Sequence, residues 1–522
     1  MRSLVRRFHG IGIHSLQKFS TTAQRKRSVL LAALIIGVMS MALQGSGPFI
    51  PNGVSFPNPN GASQTYSTHS GGINLTGPFF QSLGTNGRTC GTCHQPNNGM
   101  GVSAASVAQR FQFTQGMDPI FRTVDGSNCD HDVNVSTIAG RLQAYSLLRT
   151  RGLIRIPLAV PANADYQVAS VNNPYGCNET DTISEYRRPL PTTNLRFLST
   201  IMFDGRESSP ATGTTKILFT NYPASLLSNL THQAMDATNG HAQANPPLTI
   251  SDPRLAPIVN FEMGLTTAQS SLRGIPLNGQ GARGGPRALV NQLFFISINS
   301  SVDPLVPGFE PPGGTTAPGV GQSTPAIFNT FNAWSAFPAQ DLRASVARGE
   351  AIFNSRPITI SGVAGLNDDV SAGGLVAGGI PSFSGTCGTC HDTPNLGDHS
   401  FPTPVNIGVG DPDPSNATVS LGGLDISYLP TITVCKLDPA TGLPTSTCKT
   451  TTDLGQGLID GQFAHIGKMK GPILRGLSAR APYFHNGSAR TLLDAVRFYE
   501  TRFGLVLTQQ DESDLVAFLS SL

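Results

Sequence analysis

Two copies of the pentapeptide Cys-Gly-Thr-Cys-His, at 90–94 and 387–391, constrain this chain more than any other feature. Two cysteines separated by two residues match the spacing of the two vinyl groups of a porphyrin, and the histidine that follows is carried under the iron. A zinc knuckle would require a second Cys/His pair at short spacing, and a thioredoxin-like redox pair would require a βαβ pattern. The sequence shows neither, so it predicts two covalently bound haem c groups. The predicted attachment residues are Cys90, Cys93, Cys387 and Cys390, and the predicted proximal iron ligands are His94 and His391.

A similar segment precedes each motif, which indicates an internal duplication. Residues 77–83 and 348–353 each predict a short amphipathic helix, followed by a loop and then the haem-binding turn. Between the copies, residues 303–325 are rich in Pro, Gly and Thr and lack a hydrophobic period, as linkers do. We therefore expect an N-terminal cytochrome c-like haem domain at 46–330 and a C-terminal one at 331–522.

The hydrophobic periodicity predicts a mainly α fold, made of two cytochrome c-like haem domains with long loop insertions. Helices are expected at 340–354, from Ser488 or Thr491 to about Phe503, and from Thr508 to the C-terminus. No segment of the sequence predicts a β-rich region. Gly349 lies inside the first of these helices at a cost of about 1 kcal/mol relative to alanine, which a close helix crossing would justify.

The N-terminus predicts export. Arg25-Lys26-Arg27 precedes an uncharged apolar run at 29–43, which has the length of a signal-peptide core and is short for a membrane span of roughly 20 residues. Residues 1–45 are therefore either a signal peptide or an inner-membrane anchor, and the rest of the protein is expected in the periplasm. Only 13% of residues are charged, the net charge is +3 and no basic stripe appears, so nucleic acid is not an expected partner.

Four further cysteines fit an oxidising compartment: Cys129, Cys177, Cys435 and Cys448. Their even number favours disulfides, and four cysteines allow three pairings. Of these we expect Cys129–Cys177 and Cys435–Cys448.

Two other segments resemble bacterial diheme cytochrome c peroxidases and the related MauG-type enzyme, which oxidatively matures methylamine dehydrogenase. The first is 474–488, LRGLSARAPYFHNGS, with the residues that follow it, and the second is 203–207, FDGRE, which is similar to the family's F-W-D-G-R-A segment. The resemblance implies that His94 serves the N-terminal, peroxide-reacting haem and His391 the C-terminal haem. Together with the two haem motifs, the resemblance extends over most of residues 77–522.

The resemblance also implies a sixth ligand for the C-terminal haem. In the peroxidases a methionine on the helix after the P-Y-F-H-x-G segment fills this position, and in the MauG-type enzyme a tyrosine does. This sequence has Tyr499 at that place, on the same predicted helix face as Leu492 and Val496. Tyr499 is therefore the expected ligand, Met469 is the alternative ligand, and a packed core tyrosine is the other interpretation of Tyr499.

On the N-terminal haem, the family has a distal Gln and, ten residues later, a Glu. The Gln matches Gln233, but the tenth residue after it is Gln243, and the nearest titratable side chain is His241. Cleavage of an O–O bond needs a group that takes a proton from one oxygen and returns it to the other, which histidine can do and glutamine cannot. We therefore expect His241 to handle the proton; a solvated surface histidine is the alternative, and His232 is a rival.

Two more positions depart from the family. Phe203 stands where the family has a tryptophan between the haems, and we count it among the catalytic candidates. The family's calcium ion would be held partly by the backbone oxygens of Arg480 and Pro482, whereas its Asn ligand has no clear match within 188–194. Calcium is therefore an open expectation.

Three functions are compatible with these expectations. The leading hypothesis is a periplasmic peroxidase that reduces hydrogen peroxide with electrons from a small cytochrome c or cupredoxin. The second is a MauG-like or dioxygenase-like diheme enzyme that uses H2O2 or O2 to oxidise a protein or organic substrate. The third is a non-catalytic electron-transfer cytochrome. Members of the family are often dimers, so a homodimer is a further expectation from the resemblance.

Overall fold

The computed structural model describes residues 48–129, 131, 133–177, 182–198, 200–208, 224–292, 327–368, 381–398 and 404–522. The chain divides after Ile50 into a short unit, Met1–Ile50, and a second unit, Pro51–Leu522, to which the following description applies. The predicted signal segment at 29–43 and the predicted linker at 303–325 lie outside the described residues. The helices within the described ranges include none that is both long and apolar enough to cross a membrane. The domain boundary near residue 330 stays a prediction.

Helices are spread along the described chain. They are α1 (Cys90–Cys93), α2 (Ala104–Thr114), α3 (Ile138–Ala144), α4 (Ser146–Arg151), α5 (Ala224–His241), α6 (Leu255–Met263), α7 (Pro286–Leu289), α8 (Leu342–Ser355), α9 (Cys387–Cys390), α10 (Gly457–Asp460), α11 (Leu492–Phe503) and α12 (Gln509–Ser520).

Helices account for 31% and strands for 21%, so the prediction of a mainly α fold is wrong. The fold is mixed α/β with several sheets. The strands are β1 (Phe49–Pro51), β2 (Ser55–Asn58), β3 (Gly61–Ser67), β4 (Gly72–Asn74), β5 (Ile154–Ala159), β6 (Tyr166–Asn172), β7 (Thr182–Arg187), β8 (Leu265–Leu272), β9 (Ile275–Pro276), β10 (Ile358–Ser361), β11 (Ser382–Gly385), β12 (Pro412–Asp413), β13 (Asn416–Ser420), β14 (Thr431–Leu437) and β15 (Pro444–Thr451).

Some strands pair with partners that are distant in sequence, such as β3 with β8 and β6 with β14, whereas others, such as β14 and β15, form local hairpins. The larger sheets have the orders β2-β3-β8-β9 and β15-β14-β6, and the pairs β5-β7, β10-β11 and β12-β13 are two-stranded. In the first sheet, Thr65 of β3 faces Thr267 of β8, with their Oγ1 atoms 2.8 Å apart. Such cross-strand contacts supply much of the stability of a short polar strand, and no local periodicity reveals them.

The predicted C-terminal helices are confirmed. α11 begins after Thr491 and α12 after Thr508, and each threonine side chain accepts a hydrogen bond from a backbone N–H in the first turn. The expected close crossing at Gly349 is also present between α8 and α12. A Cβ atom at Gly349 would clash with the main-chain carbonyl of Asp514, so only glycine allows this approach.

An aromatic core lies at this crossing and supports the second Cys-Gly-Thr-Cys-His motif. Its buried rings belong to Phe328, Phe331, Trp334, Phe353 and Phe518. Phe353 also lies beside the motif, with its ring centroid 6.1 Å from that of His391. The crossing of α8 and α12 therefore fixes the Phe353 ring against which His391 packs.

Both expected disulfides are confirmed. Cys129 bonds to Cys177 with the Cα atoms 5.8 Å apart, and Cys435 bonds to Cys448 across the β14–β15 hairpin with the Cα atoms 4.0 Å apart. The four motif cysteines take no part in these disulfides.

Candidate active site

The two motifs have the same local structure. α1 and α9 are single helical turns, preceded by Thr89 and Thr386 in extended conformation. The side-chain oxygens of Thr92 and Thr389 accept the backbone N–H of these threonines, both at 2.9 Å. In each motif this hydrogen bond satisfies a backbone N–H that the start of the helix leaves unpaired, and it holds both cysteines in one short turn.

Both motif histidines are oriented by the same kind of contact. His94 Nδ1 donates to the carbonyl of Met100 at 3.2 Å, and His391 Nδ1 donates to the carbonyl of Gly397 at 2.8 Å. The proton therefore lies on Nδ1, and Nε2 keeps a free lone pair. Burial lowers the pKa of each histidine to about 4, so both imidazoles are neutral at physiological pH. A neutral imidazole with its far nitrogen fixed by a carbonyl is the form that ligates a metal.

Each motif opens into a cavity. The first cavity, of about 1480 Å³ including its open mouth, is lined by Cys90, Cys93 and His94. The second cavity, of about 1900 Å³ on the same basis, is lined by Cys387, Cys390 and His391. Two cysteine thiols outside the disulfides, a neutral histidine and mostly apolar walls fit the covalent haem that the sequence predicts at each place.

The two cavities share a wall. The residues common to both linings are Arg188, Pro189, Leu190, Phe203, Lys470 and Ile473, and we call this set the shared wall. Phe203, the predicted replacement for the family's tryptophan, therefore lies between the two cavities. Its carbonyl accepts the backbone N–H of Lys470 at 2.8 Å, and its ring centroid lies 6.0 Å from that of His485 in the second cavity.

The structure brings Gln233 and His241 together in the first cavity, both from α5. His241 Nδ1 lies 2.5 Å from Asp125 Oδ2, and Asp125 also accepts from Arg88 Nη1 at 2.5 Å. Burial would raise the pKa of Asp125, but the hydrogen bonds and charges of His241 and Arg88 outweigh it, and the net shift is downward. An ionised Asp125 therefore orients the imidazole, as a carboxylate does in a catalytic dyad.

The rival histidine lies elsewhere. His232 Nδ1 contacts Glu207 Oε2 at 2.8 Å, and neither His232 nor Gln243 lines the first cavity. Asp125, which sequence reasoning missed, lies 116 positions from its partner His241. No local pattern in the sequence links these two residues.

Glu262 is a second residue that sequence reasoning missed. It lines the first cavity from α6 and is 3% exposed, and its Oε2 atom has no hydrogen-bond partner among the described residues. Burial raises the pKa of Glu262 to about 8, so the acid carries its proton at neutral pH. One signal was available, because Glu262 is the single charged residue in the otherwise apolar helix LAPIVNFEM.

Both candidate sixth ligands line the second cavity together with His391. Tyr499 reaches it from α11, and Met469 reaches it from a segment bridged to Val405 by two backbone hydrogen bonds of 2.9 Å. Burial and then the nearby cysteines raise the pKa of Tyr499 above its ordinary range. Its ring lies among the rings of Phe484, Phe498 and Phe503.

One of the two carbonyl groups expected around calcium, that of Arg480, already has a partner in the protein. The carbonyl of Arg480 accepts a hydrogen bond from Arg188 Nη2 at 2.6 Å, so a guanidinium already occupies this oxygen. Within the stretch searched for the asparagine ligand, the amide of Asn194 is engaged with the backbone of Thr267 through two hydrogen bonds of 2.9 and 3.1 Å. The side chains present thus leave neither group available to a metal ion.

Comparisons with known proteins give short matches. No family model matches the chain. Cytochrome-c peroxidase IdrP1 of Denitromonas iodatirespirans is 40% identical over 68 residues, which are 11% of this chain and 18% of that protein. Cytochrome-c peroxidase IdrP2 of the same organism is 35% identical over 99 residues, which are 18% of this chain and 27% of that protein. Over short stretches, this chain is similar to cytochrome-c peroxidases.

The chain thus spans less than a third of the length of either relative. Among solved structures, a crystal structure of a MauG-like protein associated with microbial copper homeostasis aligns with 91% of this chain and 94% of its own. The sequence identity is 14% and the TM-score is 0.33.

Proposed function

We propose that the chain is a periplasmic diheme c-type oxidoreductase that reduces hydrogen peroxide with electrons from a small cytochrome c or cupredoxin. One observation carries the proposal. Two identical motifs each present two cysteine side chains and a neutral, Nδ1-anchored histidine to a cavity, and the two cavities meet at the shared wall. The export signal predicted at 29–43 and the two disulfides support an oxidising location outside the inner membrane.

The first cavity holds the groups that peroxide reduction requires. The reaction converts H2O2, two protons and two electrons into two waters, and a haem held by Cys90, Cys93 and His94 would supply the iron and pass on the electrons. His241, oriented by Asp125, accepts a proton from one peroxide oxygen and returns it to the other. Gln233 donates a hydrogen bond that positions the peroxide, and Glu262 provides a further proton from its buried carboxyl group.

Within the same proposal, the second cavity receives the electrons and Phe203 lies on the route between the cavities. Cys387, Cys390 and His391 would hold its haem, with Tyr499 or Met469 as the sixth ligand. The tyrosine favours a second candidate function, a MauG-like oxidase, because a tyrosinate is a hard anionic donor that stabilises ferric and higher oxidation states.

The first test is haem attachment. The full chain is expressed with haem-attachment machinery, and haem is measured after denaturing electrophoresis and as a pyridine complex. We expect two haems per chain, one after the paired change Cys90→Ser and Cys93→Ser, and two after the control pair Cys435→Ser and Cys448→Ser. A colourless wild-type chain would end the proposal.

The second test separates the two functions. Steady-state consumption of peroxide with reduced cytochrome c is expected for the peroxidase. Slow consumption, together with a long-lived oxidised species after peroxide addition, would instead favour the MauG-like function. An iron that is low-spin and six-coordinate at both sites in every redox state would leave neither function tenable.

A further inference from the structure

Arg188 is a buried cation in the shared wall. Its Nη1 atom donates to the carbonyl of Arg151 at 2.7 Å, and its Nη2 atom donates to the carbonyls of Val102 and Arg480, each at 2.6 Å. Its backbone N–H donates to the carbonyl of His485 at 2.7 Å. Three separate segments of the chain, near residues 102, 151 and 480–485, therefore meet on one arginine.

Such converging carbonyls are the ligands that a hard cation would use. Here the arginine takes them, and it supplies a positive charge of its own. Burial and the nearby charge of Arg480 lower the pKa of Arg188, but only to about 9, so the guanidinium stays charged at neutral pH.

Lys470 adds a second cation to the shared wall. Its side chain is 4% exposed, and its backbone is fixed to Phe203. The buried carboxyl group of Asp398 lies close enough to interact with Lys470. Among the described residues that line both cavities, Arg188 and Lys470 are basic and none is acidic. The wall therefore presents basic side chains to both cavities.

We infer that Arg188, assisted by Lys470, takes the place of a bridging metal ion between the two cavities. It joins the three segments and compensates the carboxylates of a porphyrin on either side. It also makes the protein independent of calcium. The effect on the haems rests on the proposed function, whereas the calcium independence does not. A positive charge near an iron favours its reduced state, so both reduction potentials are raised by this wall.

The metal content of the full-length wild-type protein is the most direct test, because it needs no variant. The protein is purified in calcium-containing buffer, desalted and analysed for calcium by mass spectrometry, then compared before and after dialysis against EGTA. We expect calcium well below one ion per chain, with no change in the absorption spectrum or in the thermal midpoint. One bound calcium per chain whose removal alters either readout would overturn the inference.

The charge effect is tested with Arg188→Gln, Arg188→Lys and the control Arg502→Gln. Arg502 also donates to three main-chain carbonyls, those of Ile407, Ser361 and Gly362, but it does not line either cavity. We expect Arg188→Gln to lower both midpoint potentials in a spectroelectrochemical titration, Arg188→Lys to lower them less, and Arg502→Gln to lower only the thermal midpoint.

If Arg188→Gln does not fold, Lys470→Met carries the same test, and we again expect both potentials to fall. Potentials that equal the wild-type values in Arg188→Gln or, in its place, Lys470→Met would show that the wall is only structural and would overturn the charge assignment. Haem content is measured in the wild type and in every variant. A wild-type chain that lacks haem refutes the proposed function instead and leaves the calcium result standing.

Discussion

The first and second cavities begin from the same motif and differ in the other residues that line them. Both have a one-turn helix with two cysteines and a histidine whose Nδ1 donates to a carbonyl. The wall of the first cavity offers proton-handling groups, His241 with Asp125, and Glu262. The wall of the second offers a phenol and a thioether, Tyr499 and Met469.

Under the proposed function, this difference lets one attachment motif serve two chemistries. The motif would set which cofactor binds and from which side the iron is held, because cysteine spacing and histidine orientation are local properties. The other lining residues would set whether a bound molecule can be protonated or whether a protein ligand fills the sixth position of the iron. The proposal therefore assigns the reaction with peroxide to the first cavity and the storage or relay of electrons to the second.

The largest expected effect is on His241. We expect His241→Ala to lower the turnover of peroxide about 10²- to 10⁴-fold, since the proton can no longer be moved between the two oxygens. Asp125→Asn should reduce turnover by less, because the imidazole remains but loses its orienting charge. The rate with reduced cytochrome c measures both, and His232→Ala, on the same helix but bound to Glu207, is the matched control. Equal losses in His232→Ala and His241→Ala would remove the distinction between the two histidines.

A smaller effect, on the order of tenfold, is expected when Glu262→Gln removes the second acid of the first cavity. In the wild type the protonated carboxyl is the active form, so turnover should fall as the pH rises through about 8, the pKa of Glu262. The turnover of the Glu262→Gln variant should not fall in this pH range. A pH profile whose alkaline limb is unchanged in the variant would show that Glu262 takes no part.

The same residue gives a stability prediction. The folded protein keeps the proton of Glu262 up to a pKa of about 8, whereas the ordinary value is 4.5, so the wild type loses stability as the pH rises between these values. Above this window, Glu262→Gln should be more stable than the wild type, by a few kcal/mol at most. Urea denaturation at pH 5 and pH 8 measures the free energy of unfolding of both proteins. A difference between the two proteins that is the same at both pH values would contradict the prediction.

The smallest change in turnover is expected at the second cavity. Tyr499→Phe should alter peroxide turnover less than tenfold, because it leaves the proton-handling groups of the first cavity in place. It should, however, change the electron paramagnetic resonance spectrum of one haem, since it removes the oxygen that would ligate the iron. Met469→Leu is the matched variant and should leave that spectrum as in the wild type. The reverse result would assign the sixth position to Met469.

By itself, the sequence determined the features that are local or covalent. The two motifs, the caps at Thr491 and Thr508 and the tight crossing at Gly349 could be predicted, because each depends on spacing, residue chemistry or helix periodicity over a few turns. The even number of the other cysteines favoured disulfides but left three pairings open, and the structure shows Cys129–Cys177 and Cys435–Cys448. Strands such as β3 and β8 could not be predicted, because their stability comes from partners far along the chain, as for Thr65 and Thr267.

Only the tertiary structure decided which polar groups meet at the cavities. Asp125 reaches His241, Glu262 is buried without a partner, and Arg188 takes the carbonyl of Arg480 that a calcium ion was expected to use. These outcomes depend on burial and on contacts between segments more than 100 residues apart. Burial shifts protonation and excludes competing ions only once the chain has folded, which is why the sequence predicted where the haems attach and not what faces them.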